Sequence, residues 1–138
     1  MKRTLVITDL TRMSGGHVCV AGYAEDVTAV RLASPRLPEA SLSRDGQLLV
    51  FPGALIDCEL WRHIPAPPHT EDYTFEPRYL NLLRRLAQPE WESWLERTRF
   101  DNVAALFEQP ILDDLGYYLM DGHGPRSLGT IRPRDIAG

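Results

Sequence analysis

Short runs of alternating hydrophobic and polar residues dominate the first half of the chain. The most regular of them covers residues 54–62, where Ile56, Cys58 and Leu60 fall on one side of an extended strand. The first run is expected to end at Asp9. Turn residues such as Gly, Pro, Asp and Asn separate the runs, and this spacing predicts a small curled sheet or barrel. The predicted strands are 4–8, 17–23, 28–32, 48–51 and 54–62.

The hydrophobic period changes after Pro68, and this section predicts helices. A first helix is predicted from one apolar stripe with i, i+3, i+4, i+7 spacing, formed by Tyr79, Leu82, Leu83 and Leu86. Pro89 suits the first position of a second helix. The buried face of that helix is predicted to contain Trp91, Trp94 and Leu95.

A third, shorter helix and one last strand complete the predicted elements. Asn102 is a suitable N-cap for a helix that contains Leu106 and Phe107 and ends before Pro110. After a Gly-rich and Pro-rich loop, residues 127–131 predict a strand. The chain is therefore predicted to be mainly β with a helical annex. Its sections are a β-barrel at 1–68, the annex at 69–122, and a C-terminal loop and strand at 123–138.

Composition limits the class of protein. The chain has 138 residues, of which 43% are hydrophobic and 25% charged, so one globular domain with a packed core is expected. No apolar run approaches the length of a membrane-spanning helix, and a cytoplasmic protein is expected. Cys19 and Cys58 have neither a metal-ligand spacing nor a disulfide pattern, and we expect two reduced core thiols.

Charge is unevenly distributed along the chain. The three sections carry net charges of 0, −6 and +2, and the whole chain carries −4. Arginine accounts for all the basic residues except Lys2, and its planar guanidinium suits phosphate or carboxylate, although genomic base composition produces the same bias. Nonspecific phosphate binding needs a concentrated positive field, so any anion binding is expected to be local or selective.

The known catalytic and nucleotide-binding motifs are absent from the sequence. Its four histidines are widely separated, so neither a metal nor a cofactor is expected. Histidine beside carboxylates is a possible acid–base group, but the same residues are typical of a turn. Arginines and hydroxyls at strand ends suit phosphate oxygens, and Tyr23 and Trp61 are candidate stacking platforms. The candidate ligand-binding residues are Asp9, Thr11, Arg12, His69, Glu71, Asp72, Arg126 and Ser127.

Four segments in order along the chain resemble the bacterial dual OB-containing domain family. They are residues 6–13 (VITDLTRM), 18–22 (VCVAG), 67–72 (PPHTED) and 126–131 (RSLGTI). The resemblance implies an OB-like β-barrel, a helical connection and a second OB-like barrel, and the family has no established activity. Only about ten residues follow residues 127–129, too few for the five strands of a second barrel. The chain is then either part of a longer protein or a natural short form.

The fold and the polar motifs together favour a non-catalytic binding module for single-stranded nucleic acid or a nucleotide. The alternative is a protein-interaction or adaptor domain of a larger bacterial system. A homodimer formed by strand addition is a further hypothesis, because an unpaired C-terminal strand exposes an edge. A small enzyme that uses His69, Glu71 and Asp72 is the least supported hypothesis. No membrane partner is expected.

Overall fold

The computed structural model describes residues 1–108, 112–113, 117–118 and 125–131, and it is mainly β. Two compact units are present: the first contains residues 1–64 and 71–88, and the second contains residues 65–70 and 89–138. The first unit has five long strands. These are β1 (Lys2–Arg12), β2 (His17–Ala24), β3 (Ala29–Pro38), β4 (Ala54–His63) and β5 (Asp72–Arg85).

The five strands close into a barrel in the order β1-β2-β3-β5-β4, and β4 pairs with β1 to complete the ring. All neighbours are antiparallel except β3 and β5, which are parallel. Closure pairs every long strand on both sides, which removes the exposed edges that an open sheet would have. The predicted mainly β fold with a small barrel and a helical annex is therefore confirmed.

Inward-facing side chains of all five strands form one hydrophobic core. Alternation along β4 buries Ile56, Cys58 and Leu60, as predicted, while Phe75 of β5 is fully buried among them. The connection from β3 to β4 adds Val50 and neighbouring apolar residues to the same core. This connection also contains a 3-10 turn at Glu39–Leu42, and a two-residue hairpin formed by Ser43–Arg44 and Gln47–Leu48. A further 3-10 turn, Ser14–Gly16, joins β1 to β2.

The first strand does not end at Asp9 as expected but continues to Arg12. Its register against β2 shifts between Ile7 and Asp9, so one extra residue is accommodated there. Without the shift, the two-residue period would point Asp9 toward the core, as it does Ile7. Because of the shift, Leu10 packs against the core instead and Asp9 faces away from it. A polar residue is thereby kept in the strand without a buried charge in the barrel.

The predicted helix over Tyr79 to Leu86 is wrong, because most of this segment belongs to β5. The register between β4 and β5 shifts between Leu55 and Ile56, which pair with Arg84 and Leu82, so Leu83 is an extra residue within the stripe. Irregular strand pairing of this kind breaks the two-residue period and produces spacings of three and four in the sequence. The apolar stripe was therefore compatible with a strand that completes the barrel.

The second unit contains the helices α1 (Gln88–Thr98) and α2 (Val103–Phe107). Both confirm the sequence prediction, and the Asn102 carboxamide oxygen accepts a hydrogen bond from the backbone N–H of Ala105 at 2.8 Å. The predicted stop at Pro110 lies outside the described residues. The predicted last strand is short, Thr130–Ile131, and it pairs in parallel with Arg99–Phe100. A second short pair joins Leu112–Asp113 and Tyr117–Tyr118.

The pairing of Thr130–Ile131 with Arg99–Phe100 gives the C-terminal strand a partner within its own unit. Homodimerisation by strand addition stays a prediction. None of the helices in the described part of the chain is long and apolar enough to cross a membrane.

Both cysteines are free, but only one of them belongs to the core. Cys58 is fully buried, and its thiol contacts the backbone oxygen of Arg3 at 3.5 Å. Burial raises the pKa of Cys58 to about 12. Cys19 is half-buried and alternates with the core residues Val18 and Val20, so its side chain lies on the outer face of β2. The prediction of a core thiol is therefore wrong for Cys19.

Candidate functional site

A row of paired residues crosses the outer face of the barrel over four strands. Asp9 of β1 pairs with Ala21 of β2, Ala21 pairs with Arg31 of β3, and Arg31 pairs with Asp72 of β5. Directly paired residues project from the same side of a sheet, so these side chains share one face. The row brings together two of the predicted site residues, Asp9 and Asp72, with an arginine that the sequence motifs did not single out.

Arg31 and Asp72 form a bidentate ion pair. Arg31 Nε donates to Asp72 Oδ1 at 2.6 Å, and Nη2 donates to Oδ2 at 2.7 Å. Only 20% of the Arg31 side chain and 12% of the Asp72 side chain are exposed. Donation of these hydrogen bonds to the Asp72 carboxylate raises the pKa of Arg31. Both oxygens of the Asp72 carboxylate are thus engaged by the same guanidinium.

The polar groups near this pair are also partly desolvated. Burial raises the pKa of Asp9, and a hydrogen bond of 2.6 Å from the Thr8 hydroxyl partly opposes that effect. Burial likewise raises the pKa of the Cys19 thiol, against the opposing effect of the nearby Arg31 charge. A thiol with a raised pKa is a weak nucleophile at neutral pH. The row therefore has the character of a structural cross-link rather than a reactive centre.

The two other predicted residues of β1 lie at its end and are exposed. Arg12 Nη2 contacts Glu39 Oε1 at 3.1 Å, with 84% of the Arg12 side chain exposed. Thr11 pairs with Cys19 across the strands and is exposed as well. These side chains lie beside the turn that joins β1 to β2, where a ligand can approach from solvent.

The predicted residues of the motif at 67–72 are divided between the two units. Glu71 and Asp72 belong to the barrel, where Glu71 is buried and its backbone oxygen accepts a hydrogen bond from the Arg31 N–H at 2.7 Å. His69 belongs to the second unit, in a tight turn where its backbone exchanges hydrogen bonds with Ala66. These backbone hydrogen bonds agree with the interpretation of the residues around His69 as a turn.

Arg126 acts within the second unit. Its guanidinium donates to the backbone oxygen of Leu106, contacts a Glu108 carboxylate oxygen at 3.2 Å, and lies 4.6 Å from the centre of the Phe100 ring. The C-terminal end of α2 is where unsatisfied backbone oxygens occur, and a cation there is stabilising. Ser127 is half-buried beside it. The position of Arg126 indicates a role in holding the end of α2.

Aromatic side chains surround the connection from β4 to β5. Trp61, near the end of β4, is 63% exposed. Two residues further on, the His63 ring stacks on Tyr73 of β5, with ring centres 4.6 Å apart and an angle of 22° between the planes. We call Trp61, His63 and Tyr73 the aromatic end. The sequence singled out Trp61, but the pairing of His63 with Tyr73 depends on strand register and had no local signal.

The other candidate platform, Tyr23, is not accessible. Its side chain is buried, with 9% exposure, on the outer side of β2. A base cannot stack on a ring that is already covered, so the prediction for Tyr23 is wrong. Of the two stacking platforms predicted from the sequence, Trp61 of the aromatic end is therefore the accessible one.

Neither of two clefts formed by described residues is lined by the predicted site residues. A cleft of about 690 Å³ in the second unit runs between α1 and the last strand, with Leu95 and Ile131 among its lining residues. A smaller cleft of about 350 Å³ in the barrel is lined by Lys2, Arg3, Thr4, Glu25 and Asp26. Comparison with family models, curated proteins and solved structures gave no match to this chain.

Proposed function

We propose that the barrel is an OB-type, non-catalytic module that binds single-stranded nucleic acid or a nucleotide. A closed five-stranded barrel with a non-consecutive strand order supports this proposal, because the OB-fold is a five-stranded barrel of Greek-key type. The resemblance of the sequence to the dual OB-containing domain family points the same way. Fold alone does not define a function, so the proposal depends on a surface that can hold a base.

The observation that carries the proposal is the exposure of Trp61. An indole that is 63% exposed on a barrel offers a flat π surface, and bases stack on such surfaces with little sequence preference. Trp61 and His63 precede the β4–β5 connection and Tyr73 follows it. In OB-folds, the β4–β5 loop is one of the segments that contact oligonucleotides. The aromatic end therefore combines a stacking surface with a suitable place in the fold.

The charges next to the aromatic end are compatible with phosphate. Arg62 is exposed between Trp61 and His63, and Lys2 lies on the adjacent strand opposite Glu59. Glu59 accepts a hydrogen bond of 2.6 Å from the backbone amine of Met1. Pairing with a cation reduces the repulsion that this carboxylate would exert on a phosphate.

Fluorescence anisotropy with labelled single-stranded oligonucleotides at low salt tests the proposal. Base stacking contributes about 1–3 kcal/mol per base, so Trp61→Ala is expected to weaken binding by roughly ten-fold or more, while Trp61→Phe retains part of the affinity. Leu48→Ala is the matched control, because Leu48 is an exposed apolar side chain elsewhere on the barrel. Absence of saturable binding, or equal affinities for Trp61→Ala and Leu48→Ala, would contradict the proposal.

A protein-interaction module is the second candidate, and the cleft beside α1 favours it. Apolar residues in a cleft are typical anchors for a partner side chain, and Ile131 is an exposed member of this lining. Cross-linking of the full chain in its native host, followed by mass spectrometry, tests this candidate. A specific partner is expected to be lost with Ile131→Asp and kept with Leu48→Ala. Identical cross-links for both variants would exclude the cleft as the contact.

A further inference from the structure

The barrel carries an excess of positive charge at one end. The end in question is the one where β1, β3 and β5 finish and β2 and β4 begin, as the strand pairings require. Four arginines lie there against one carboxylate, Glu39, which gives a net charge of +3 in a unit whose total is zero. Arg44 and Asp45 of the neighbouring hairpin cancel each other, and the Arg44 guanidinium bonds Leu80 and Asn81, part-way along β5. We call the four arginines the basic end: Arg12, Arg36, Arg84 and Arg85.

The arginines of the basic end are accessible to a ligand. All four are exposed. Arg12 has the carboxylate partner already noted, Glu39, in a pair exposed to solvent. Within the described part of the chain, Arg36 and Arg85 form no salt bridge. Their charge is therefore not neutralised by a neighbouring carboxylate at contact distance.

One of these arginines is also held in position. The Arg85 guanidinium lies 4.2 Å from the centre of the Phe51 ring. A guanidinium has five N–H donors, so Arg85 keeps donors for a ligand after this contact. A fixed arginine loses less side-chain entropy when it binds a phosphate.

We infer that the basic end is a binding surface for a phosphate chain, separate from the aromatic end. Phosphates attract arginine through bidentate hydrogen bonds, and two or more guanidinium groups with free donors on one surface suit a chain that carries several phosphates. The acidic residues that balance the unit include Glu25 and Asp26, which lie in the turn between β2 and β3 at the opposite end. A phosphate chain is thus attracted more strongly to the basic end than to the β2–β3 turn.

This inference does not depend on base stacking, so the probe is a single-stranded oligonucleotide without bases. An abasic oligomer of about 15 residues is titrated against the full chain, and each phosphate contact contributes about 0.7 to the slope of log affinity against log salt concentration for single strands. Arg36→Glu is the main variant, because Arg36 makes none of the described side-chain contacts and its substitution is compatible with folding. Arg85→Glu is the second variant.

Each charge reversal is expected to weaken binding of the abasic oligomer by several-fold and to reduce the salt slope by about 0.7 to 1. Arg78→Glu is the matched control, because Arg78 is an exposed arginine of β5 that belongs to neither end, and it is expected to leave both quantities unchanged. Inorganic polyphosphate is the second probe: competition by it shows that the phosphate chain alone is sufficient, and binding of the abasic oligomer alone assigns the surface to nucleic acid. Absence of binding by both probes, or equal loss with Arg78→Glu and Arg36→Glu, would overturn the inference.

The two proposals fail in different ways. If bases stack at Trp61 but the basic end is inactive, normal oligonucleotides bind and abasic ones do not. If only the basic end binds, abasic and normal oligonucleotides bind equally, and Trp61→Ala has no effect. Comparison of normal and abasic oligonucleotides therefore shows which of the two surfaces fails to bind.

Discussion

The ion pair between Arg31 and Asp72 is predicted to stabilise the fold because each charge compensates the partial burial of the other. It joins the only parallel pair of strands in the barrel, β3 and β5, through two short hydrogen bonds. The perturbations are Arg31→Met, Asp72→Leu and the double variant. Each single substitution leaves one charge without its partner in a largely covered position, whereas the double substitution leaves none.

The degree of burial determines the expected magnitude. Exposed pairs contribute about 0–1 kcal/mol, and removal of one partner from a fully buried pair costs about 3–5 kcal/mol. With side-chain exposures of 20% and 12%, this pair lies between those limits. We expect each single variant to lose about 2–3 kcal/mol of unfolding free energy. The double variant is expected to be no less stable than either single variant, which corresponds to a coupling free energy of at least about 2–3 kcal/mol.

Equilibrium unfolding in urea, followed by tryptophan fluorescence and by circular dichroism, measures all four proteins. Coincident transitions for the two probes are required before the free energies are compared. The exposed pair of Arg12 and Glu39 is the internal control, and its cycle is expected to show no measurable coupling. The reasoning would be refuted if the losses of unfolding free energy from Arg31→Met and Asp72→Leu added up in the double variant. Additivity would mean that the two charges do not interact.

Three further outcomes follow from backbone contact, ionisation and burial. Gly22→Ala is expected to lose about 3 kcal/mol or more of stability in urea unfolding, because a Cβ there would lie 2.0 Å from the backbone oxygen of Val6; a wild-type midpoint would contradict this. Burial raises the pKa of Asp9, so the folded state favours the protonated carboxyl group. This preference contributes stability to the fold that is fully present below the unfolded pKa and is lost as pH rises through the folded pKa. Asp9→Asn is therefore expected to raise the melting temperature at pH 7, with a gain that fades below about pH 4, and an equal or lower value at pH 7 would count against it. In alkylation pulses at pH 8 followed by intact mass, half-buried Cys19 is expected to react slowly and Cys58 later still, so prior modification of Cys58 would be inconsistent with its burial.

Local pattern predicted those parts of the fold whose environment is simple. The alternation in residues 54–62 corresponds to β4, where one side faces the core and the other faces solvent. The caps and breakers near Pro89 and Asn102 correspond to the starts of α1 and α2, because capping depends on a few neighbouring residues. Long-range pairing overrode local pattern in β5, where closure of the barrel required a strand in a segment with helical spacing.

The candidate site was less accessible to sequence reasoning, because its elements meet only in the folded chain. Asp9 and Asp72 were singled out as polar residues at strand ends, but their relation to Arg31 follows from the registers of three strand pairs. Arg31 itself occupies an ordinary outward position in an alternating strand, which gives no signal of an ion pair. Likewise, Trp61 and Tyr23 are equally good stacking platforms by residue type, and only their exposure in the folded chain distinguishes them.

Net charge was a poor guide to anion binding, because it averages over positions that the fold separates. The whole chain carries −4, and the barrel unit carries zero, yet the strand pairings place Arg12, Arg36 and Arg85 at the same end. Interactions between exposed charges decay over a Debye length of about 10 Å at 0.1 M salt, so a phosphate responds to the local group and little to acids at the opposite end. Binding to the basic end should therefore weaken steeply with salt while remaining insensitive to Glu25→Gln. If that substitution strengthened binding as much as Arg36→Glu weakened it, total charge rather than local geometry would govern the interaction.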